Sequence, residues 1–155
     1  MNINIRPAVT SDWQTIQKLN NEVFQNDKEN DPDIDLDWPY SEKGIAYYQK
    51  LAHGTYGHCL IAENDDTPVG YIALSIKNFG YRKSTYVEVE NIGVSTEFRS
   101  KGIGKVLMDA ASEWARQQDA QKLYVEAFWG NTKAVKYYKN NGFVEIGVQL
   151  EKALT

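Results

Sequence analysis

The run Arg99-Ser100-Lys101-Gly102-Ile103-Gly104-Lys105 has the residue types that hold a pyrophosphate. Its two glycines let a backbone approach a ligand closely. It opens a stretch of helical periodicity, and the first turn of a helix leaves N–H groups unpaired at the positive end of its dipole. Arg99, Lys101 and Lys105 add positive charge to what is then an anion-binding helix start. An ordinary glycine-containing loop with solvated basic side chains is the other reading of the same residues. Two alternative phosphate loops fail on spacing. A Walker loop needs Ser or Thr after its lysine, but Lys105 precedes Val106. A dinucleotide fingerprint needs a third glycine where Leu107 stands.

A second pair of residues could move protons. Glu88 and Glu90 lie two apart in a β-branched stretch, so they share one face of a strand. Glutamate is depleted in strands, which sets the pair apart. On a cleft-lining face either carboxylate can accept a proton; on a solvated face both are plain surface charge. The single cysteine, Cys59, lies in the apolar run His58-Cys59-Leu60-Ile61-Ala62 and reads as a buried structural thiol. His53 and His58 lack further ligands at metal-binding spacing, so no metal is expected.

The elements that must position these residues follow from periodicity. Asn2 to Arg6 alternates as a strand and stops at Pro7. Thr10 or Ser11 can cap a helix carrying Trp13, Ile16, Leu19, Val23 and Phe24. Asn26 to Tyr40 is acidic, contains Pro32 and Pro39, and reads as a loop. Ser41 can cap a second helix that ends near Gly54. His58 to Glu63 and Val69 to Phe79 form an antiparallel hairpin around Asn64-Asp65-Asp66-Thr67-Pro68. Thr85 to Val94 is a strand, Gly102 to Gln118 a helix, and Leu123 to Phe128 a strand parallel to the first through a right-handed crossover. Asn131 caps a last helix that ends at Gly142. Phe143 to Leu154 then alternates as one strand or a tight hairpin. The expected architecture is one α/β (α+β) domain over residues 1–155, with a mixed, twisted central sheet of six to seven strands flanked by about four helices.

Composition agrees with that class. Of 155 residues, 42% are hydrophobic and 25% charged, values that argue against disorder. A net charge of −4 argues against a general nucleic-acid binder. There is no continuous apolar run of membrane-spanning length and no signal-peptide pattern at the start, so cytoplasmic is the expected location.

Two segments at matching positions resemble one family. Arg-x-x-Gly-x-Gly after Ile92-Gly93-Val94-Ser95-Thr96-Glu97-Phe98, with Gly102 to Met108 opening a helix, resembles the acyl-CoA signature of the GNAT superfamily of N-acyltransferases. Asn131 to Phe143 resembles that family's later motif, with Ala134 three residues after the asparagine and Tyr138 five before Phe143. The order of elements matches over nearly the whole chain.

The resemblance implies roles. The backbone of Ile92, Gly93 and Val94 pairs with the pantetheine arm of acetyl-CoA, like an added strand. The N–H groups of Ser100, Lys101, Gly102, Ile103, Gly104 and Lys105 hold the pyrophosphate, with Arg99 closing over it. Asn131 reaches the pantetheine, and Tyr138 is the general acid to the departing thiolate, while its neighbour Tyr137 is a packing residue. The reaction is attack of a primary amine on a thioester. Such an amine, with a pKa of about 10.4, is only about 0.1% neutral near pH 7.4. Glu90, or Glu88, is therefore the expected base, directly or through water. The N–H of Gly93 or Val94 can hold the oxyanion if the strand is bulged there.

Trp38, Tyr40, Tyr47, Tyr48 and Trp129 are candidates to line the acceptor pocket in that fold. The acidic stretch from Asp27 to Glu42 suggests a cationic acceptor such as a polyamine. A protein N-terminus or a lysine is the alternative acceptor. A non-catalytic acyl-CoA sensor or an interaction module is the alternative function. The brief segment after Gly142 motivates a homodimer that would cover that side of the cleft.

Overall fold

A computed structural model describes residues 1–155. The chain runs β1 (Ile3–Pro7), α1 (Trp13–Asp27), α2 (Glu42–His53), β2 (His58–Asn64), β3 (Thr67–Lys77), β4 (Tyr86–Val94), α3 (Ile103–Gln117), β5 (Lys122–Val125) and α4 (Thr132–Asn140). Short 3-10 turns sit at Thr10–Asp12, Trp38–Tyr40 and Thr96–Phe98. The sheet has five strands in the order β1-β2-β3-β4-β5. All neighbours are antiparallel except β4 and β5, which are parallel.

The six to seven strands expected from alternation are thus five. Phe143 to Leu154 keeps an alternating pattern but has no ladder partner, and a strand exists only through its neighbour. The first helix also starts differently. Neither Thr10 nor Ser11 caps it; the two enter a 3-10 turn, and the Asp12 carboxylate is instead taken by Arg6 and the Val9 N–H. Arg6 also donates to Glu63 at 2.6 Å, tying β1, β2 and the start of α1 together. Ser41 caps α2 by accepting from the Gly44 N–H, and Gly54 ends that helix with φ +81°.

Each sheet face has its own core. Leu60, Ile72, Leu74, Val87 and Val89 pack under Ile103, Leu107 and Ala111 of α3. Ile61, Tyr71 and Ala73 pack on the other face with Ile16 and Leu19 of α1 and Tyr48 and Leu51 of α2. Cys59 is buried in this second core, where burial pushes its thiol pKa up and keeps it an inert hydrophobe. His53 and His58 do not meet: His53 approaches Thr10, and His58 stacks on Trp114 at 4.7 Å. No group of three His, Cys, Asp or Glu side chains comes together to hold a metal.

One irregularity organises the site. On β3, Leu74 pairs with Val89 and the next residue, Ala73, pairs with Asn91. Glu90 is therefore an extra residue in β4, a bulge. The bulge switches the side-chain parity of the strand. Val87 and Val89 face α3 before it, and Ile92 and Val94 pack on that same core after it. A regular strand would have turned Ile92 and Val94 to the opposite face.

Candidate active site

The bulge is also where β4 and β5 part. Their ladder runs from Tyr86↔Lys122 to Val89↔Val125 and goes no further. From Glu90 to Val94, β4 keeps β3 on one side and has no strand on the other. Half of its backbone groups there are free to pair with something extended. That open edge contains Ile92, Gly93 and Val94, and it leads directly into the loop from Ser95 to Gly102.

The loop and the start of α3 form the second part. Ser100 has φ +61° and Gly102 φ +83°, so the chain curls tightly before the helix. Gly102 is the N-cap, with no side chain closing the first turn. The N–H groups of Ile103, Gly104 and Lys105 thus lie at an uncapped helix start. Arg99 does not reach over this turn. Its Nε donates to the Val94 carbonyl at 3.0 Å, and its guanidinium lies 3.7 Å from Glu22 of α1. The Thr96 hydroxyl donates to the same Glu22 carboxylate.

At the bulge itself sits a carboxylate network. The Glu90 Oε1 accepts from Tyr47 at 3.3 Å and from Tyr56 at 3.1 Å. The Asn91 amide donates to the Tyr47 hydroxyl at 3.0 Å, and its oxygen accepts from Tyr71. The other oxygen, Oε2 of Glu90, is buried and has no partner. A buried carboxylate oxygen without a donor is costly, which sets this one apart from the paired carboxylates of the fold. Burial, and then the charge of Glu90, push the phenol pKa values of Tyr47 and Tyr56 up, so both stay donors. Glu88 shares the face, as its spacing implied, but has other neighbours. It lies 4.0 Å from Lys77. Its pKa is raised, by burial first and then by the charges of Glu90 and Glu126, with Lys77 opposing.

Tyr47 and Tyr56 also wall a cavity of about 320 Å³ with Lys43, Ala46 and Lys50. The two lysines stand seven residues apart on α2 and make no ion pair. Of the aromatic residues expected here, Tyr47 lines the cavity. Trp38 packs between Phe24, Tyr47 and Tyr48, while the Tyr48 hydroxyl is spent on Asn20 at 2.6 Å. Tyr40 is exposed on its 3-10 turn. The acidic stretch lies by the start of α4 instead, with Asp27 within 3.5 Å of the Asn131 amide and Asn30 near Gly130.

The last part is α4. Asn131 caps it, accepting from the Ala134 N–H at 3.1 Å, so its oxygen has a structural task as well as the one the motif suggests. Tyr138 packs against Phe143 and Tyr137. Burial first, then Tyr137 and Asp27, push its pKa up to about 12. Tyr137 packs on the α3 core, as a packing residue should, but its hydroxyl is buried, unpartnered and directed at Gly104.

Tyr56, Asn91 and Tyr71 are members of the network that sequence patterns did not single out. They come from a turn and two strands, and only their linkage marks them: Tyr56 donates to Glu90, while Tyr71 and Asn91 reach it through Tyr47. Tyr56, two residues after the helix-ending Gly54, carried no periodic signal at all.

The acetyltransferase (GNAT) family model matches residues 13–143. A putative ribosomal protein bS18-alanine N-acetyltransferase of Bacillus subtilis is 27% identical over 104 residues, which are 67% of this chain and 65% of that protein. The N-alpha-acetyltransferase RimI of Mycobacterium tuberculosis is 27% identical over 147 residues, 95% of this chain and 82% of its own. The aminoglycoside N-acetyltransferase AAC(6')-Iy, solved with CoA, shares the fold with a TM-score of 0.73 at 21% identity, covering 99% of this chain and 96% of that one. No helix is long and apolar enough to cross a membrane.

Proposed function

The chain belongs to the GNAT acetyltransferase family, and from that premise we propose that it transfers an acetyl group from acetyl-CoA to a primary amine by direct attack, with Glu90 as base and Tyr138 as acid. The observation that carries this reading is the bulge. It ends the β4–β5 ladder, frees the edge of Ile92 to Val94, and sets a carboxylate with an unpartnered oxygen beside that edge.

The residues present fit the co-substrate. The free edge of Ile92 to Val94 offers amide groups to a pantetheine arm. The uncapped N–H groups from about Ser100 to Lys105 suit its pyrophosphate. To bring Arg99 over the phosphates, its bond to the Val94 carbonyl must be released. The thioester supplies an activated acyl carbon; the chain supplies orientation and proton transfer.

Deprotonating an ammonium of pKa about 10.4 at pH 7.4 costs roughly 4 kcal/mol. Oε1 of Glu90 is held by the two phenols and Oε2 is buried without a donor, so Glu90 takes that proton through water. Glu88 is a weaker candidate, because it lies inside the β4–β5 ladder, opposite Tyr124, and not beside the free edge. Tyr138 keeps its proton at neutral pH and can give it to a departing thiolate. The N–H of Gly93 or Val94, past the bulge, is the donor for the developing oxyanion.

The acceptor enters by the cavity beside Tyr47 and Tyr56. Lys43 and Lys50 on its wall repel a polycation, so an amine of low positive charge, such as a peptide N-terminus, fits better than a polyamine. Calorimetric titration with acetyl-CoA tests the reading first, on the wild type and on Gly104→Trp. Micromolar binding that the variant loses supports it; absence of binding to the wild type removes it. A thiol-release assay with peptide N-termini against polyamines then separates the acceptor classes.

A further inference from the structure

The part of α2 that walls the cavity repeats at helical spacing. Lys43, Ala46, Tyr47 and Lys50 stand at i, i+3, i+4 and i+7, so they share one face of the helix. Ala46 is small and does not fill the space between the two lysines. Lys43 and Lys50 are the only charged residues that line the cavity. Neither makes an ion pair. Three and four positions from either lysine stand Pro39, Tyr40, Ala46, Tyr47, His53 and Gly54. No acid along the helix therefore neutralises them.

Behind the cavity lies the opposite charge. Tyr47 and Tyr56 both give their hydroxyl hydrogens to Glu90, at 3.3 and 3.1 Å, so the carboxylate stands directly behind the two phenols. The other carboxylate of that strand face, Glu88, lies 4.0 Å from Lys77 and not beside the α2 lysines. The cavity thus has two exposed, uncompensated cations on its wall and an anion one phenol away. An amine drawn toward Glu90 leaves the rest of its molecule beside the lysines. The volume of about 320 Å³ is at the small end for ligand sites and suits a molecule of amino-acid size.

We propose that the acceptor is an amine that also carries carboxylate, an acidic amino acid, with its ammonium toward Glu90 and its carboxylates on Lys43 and Lys50. This names the substrate class of the site proposed above, and it rests on acceptor entry by that cavity. The two lysines stand about 10 Å apart along the helix axis, seven residues of rise. One carboxylate does not bridge that separation, whereas two flexible stems can close on a molecule that has two. Ammonium–carboxylate contacts are charge-assisted and stronger than neutral ones. A neutral amide in the same place leaves the lysines unpaired, and a diamine is repelled by them, so the wall selects by charge. An acidic peptide N-terminus offers the same chemistry with its side-chain carboxylate alone.

Calorimetric titration tests this by binding, without turnover, on the wild type and on the double variant Lys43→Gln/Lys50→Gln, each with and without saturating CoA. Both lysines are exposed, so the variant keeps its fold, and an unchanged Tm checks that. The probes are glutamate, glutamine, the amidated dipeptide Glu-Ala and putrescine. The wild type is expected to bind glutamate at least about tenfold more tightly than glutamine or putrescine. The variant is expected to reduce that preference to within about twofold and to keep its Kd for acetyl-CoA. Raising salt from about 20 to about 300 mM should weaken glutamate binding by the wild type and not by the variant. Amidated Glu-Ala bound as tightly as glutamate assigns the acceptor to a peptide N-terminus, and weaker binding assigns it to a free amino acid; either result keeps the carboxylate as the recognised group. A wild type that binds glutamine or putrescine as tightly as glutamate, or binds no probe, overturns the proposal. So does a preference that survives the double substitution. The proposed reaction fails separately, by absence of acetyl-CoA binding, whichever probe the cavity takes.

Discussion

The hydroxyl of Tyr137 stands 2.9 Å from the point that a Cβ on Gly104 would occupy. The first turn of α3 and the middle of α4 thus touch through a glycine that cannot be enlarged without moving the tyrosine. Gly104→Ala is expected to cost about 1–3 kcal/mol by overpacking. Tyr137→Phe removes the nearest atom and leaves the ring carbon at 3.4 Å. The double variant should therefore recover much of the lost Tm. Additive losses in a thermal melt of the four proteins would show that the contact is not the cause.

Glu90 and Glu88 are separable by substitution. Glu90→Gln should lower kcat by about 10²–10⁴-fold, the range for losing a general base. The Kd for acetyl-CoA should stay within a few-fold, because the carboxylate lies at the bulge and not at the start of α3. Glu88→Gln should have a much smaller effect. Steady-state kinetics with calorimetry distinguishes the two, and a larger loss at Glu88 would move the base by one strand pair.

Tyr47 is the hinge of the network, between Asn91 and Glu90. Tyr47→Phe leaves Glu90 with Tyr56 alone and strips the Asn91 amide of its acceptor. A loss of about 1–3 kcal/mol in stability is expected from the unsatisfied groups. Urea unfolding checks it; an unchanged midpoint would mean that water replaces the hydroxyl.

Burial pushes the Tyr138 phenol pKa up from its ordinary value to about 12. The fold therefore binds this proton more tightly than the unfolded chain does. Its contribution is complete below about pH 10 and is lost as pH rises toward 12. Turnover should show no alkaline fall from this group below about pH 10. Tyr138→Phe should lower kcat by about 10²-fold or more with little change in the Kd for acetyl-CoA. A full-rate phenylalanine variant would assign the thiolate proton to water.

Asp12 behaves in the opposite sense. Burial alone would raise its pKa, but the hydrogen bonds from Arg6 and the Val9 N–H outweigh that and hold it below 3.8. Its stabilisation is present above the unfolded value and is lost as pH falls through the folded one. Asp12→Asn should cost about 1–3 kcal/mol at neutral pH. It should also flatten the decline in Tm below about pH 4. An acid limb identical to that of the wild type would place the sensitive group elsewhere.

The residues themselves carried much of this molecule. The hairpin of β2 and β3, the β-branched run of β4, the caps Ser41 and Asn131, and the crossover between two strands are local or near-local signals, and each appears where its pattern put it. The glycine loop before α3 was legible as a helix start, and Gly102 stands at the N-cap with φ +83°. Even the shared face of Glu88 and Glu90 came from parity alone. What tertiary structure decided is everything that depends on a neighbour distant in sequence. Alternation made a strand of Phe143 to Leu154, but the ladder partner is missing, and no local pattern reveals that. The bulge at Glu90 is invisible in the sequence because register is a relation between β3 and β4, not a property of either. Its consequences, the freed edge of Ile92 to Val94 and the meeting of Tyr47 and Tyr56 at one carboxylate with Asn91 behind Tyr47, exist only once the strands are paired.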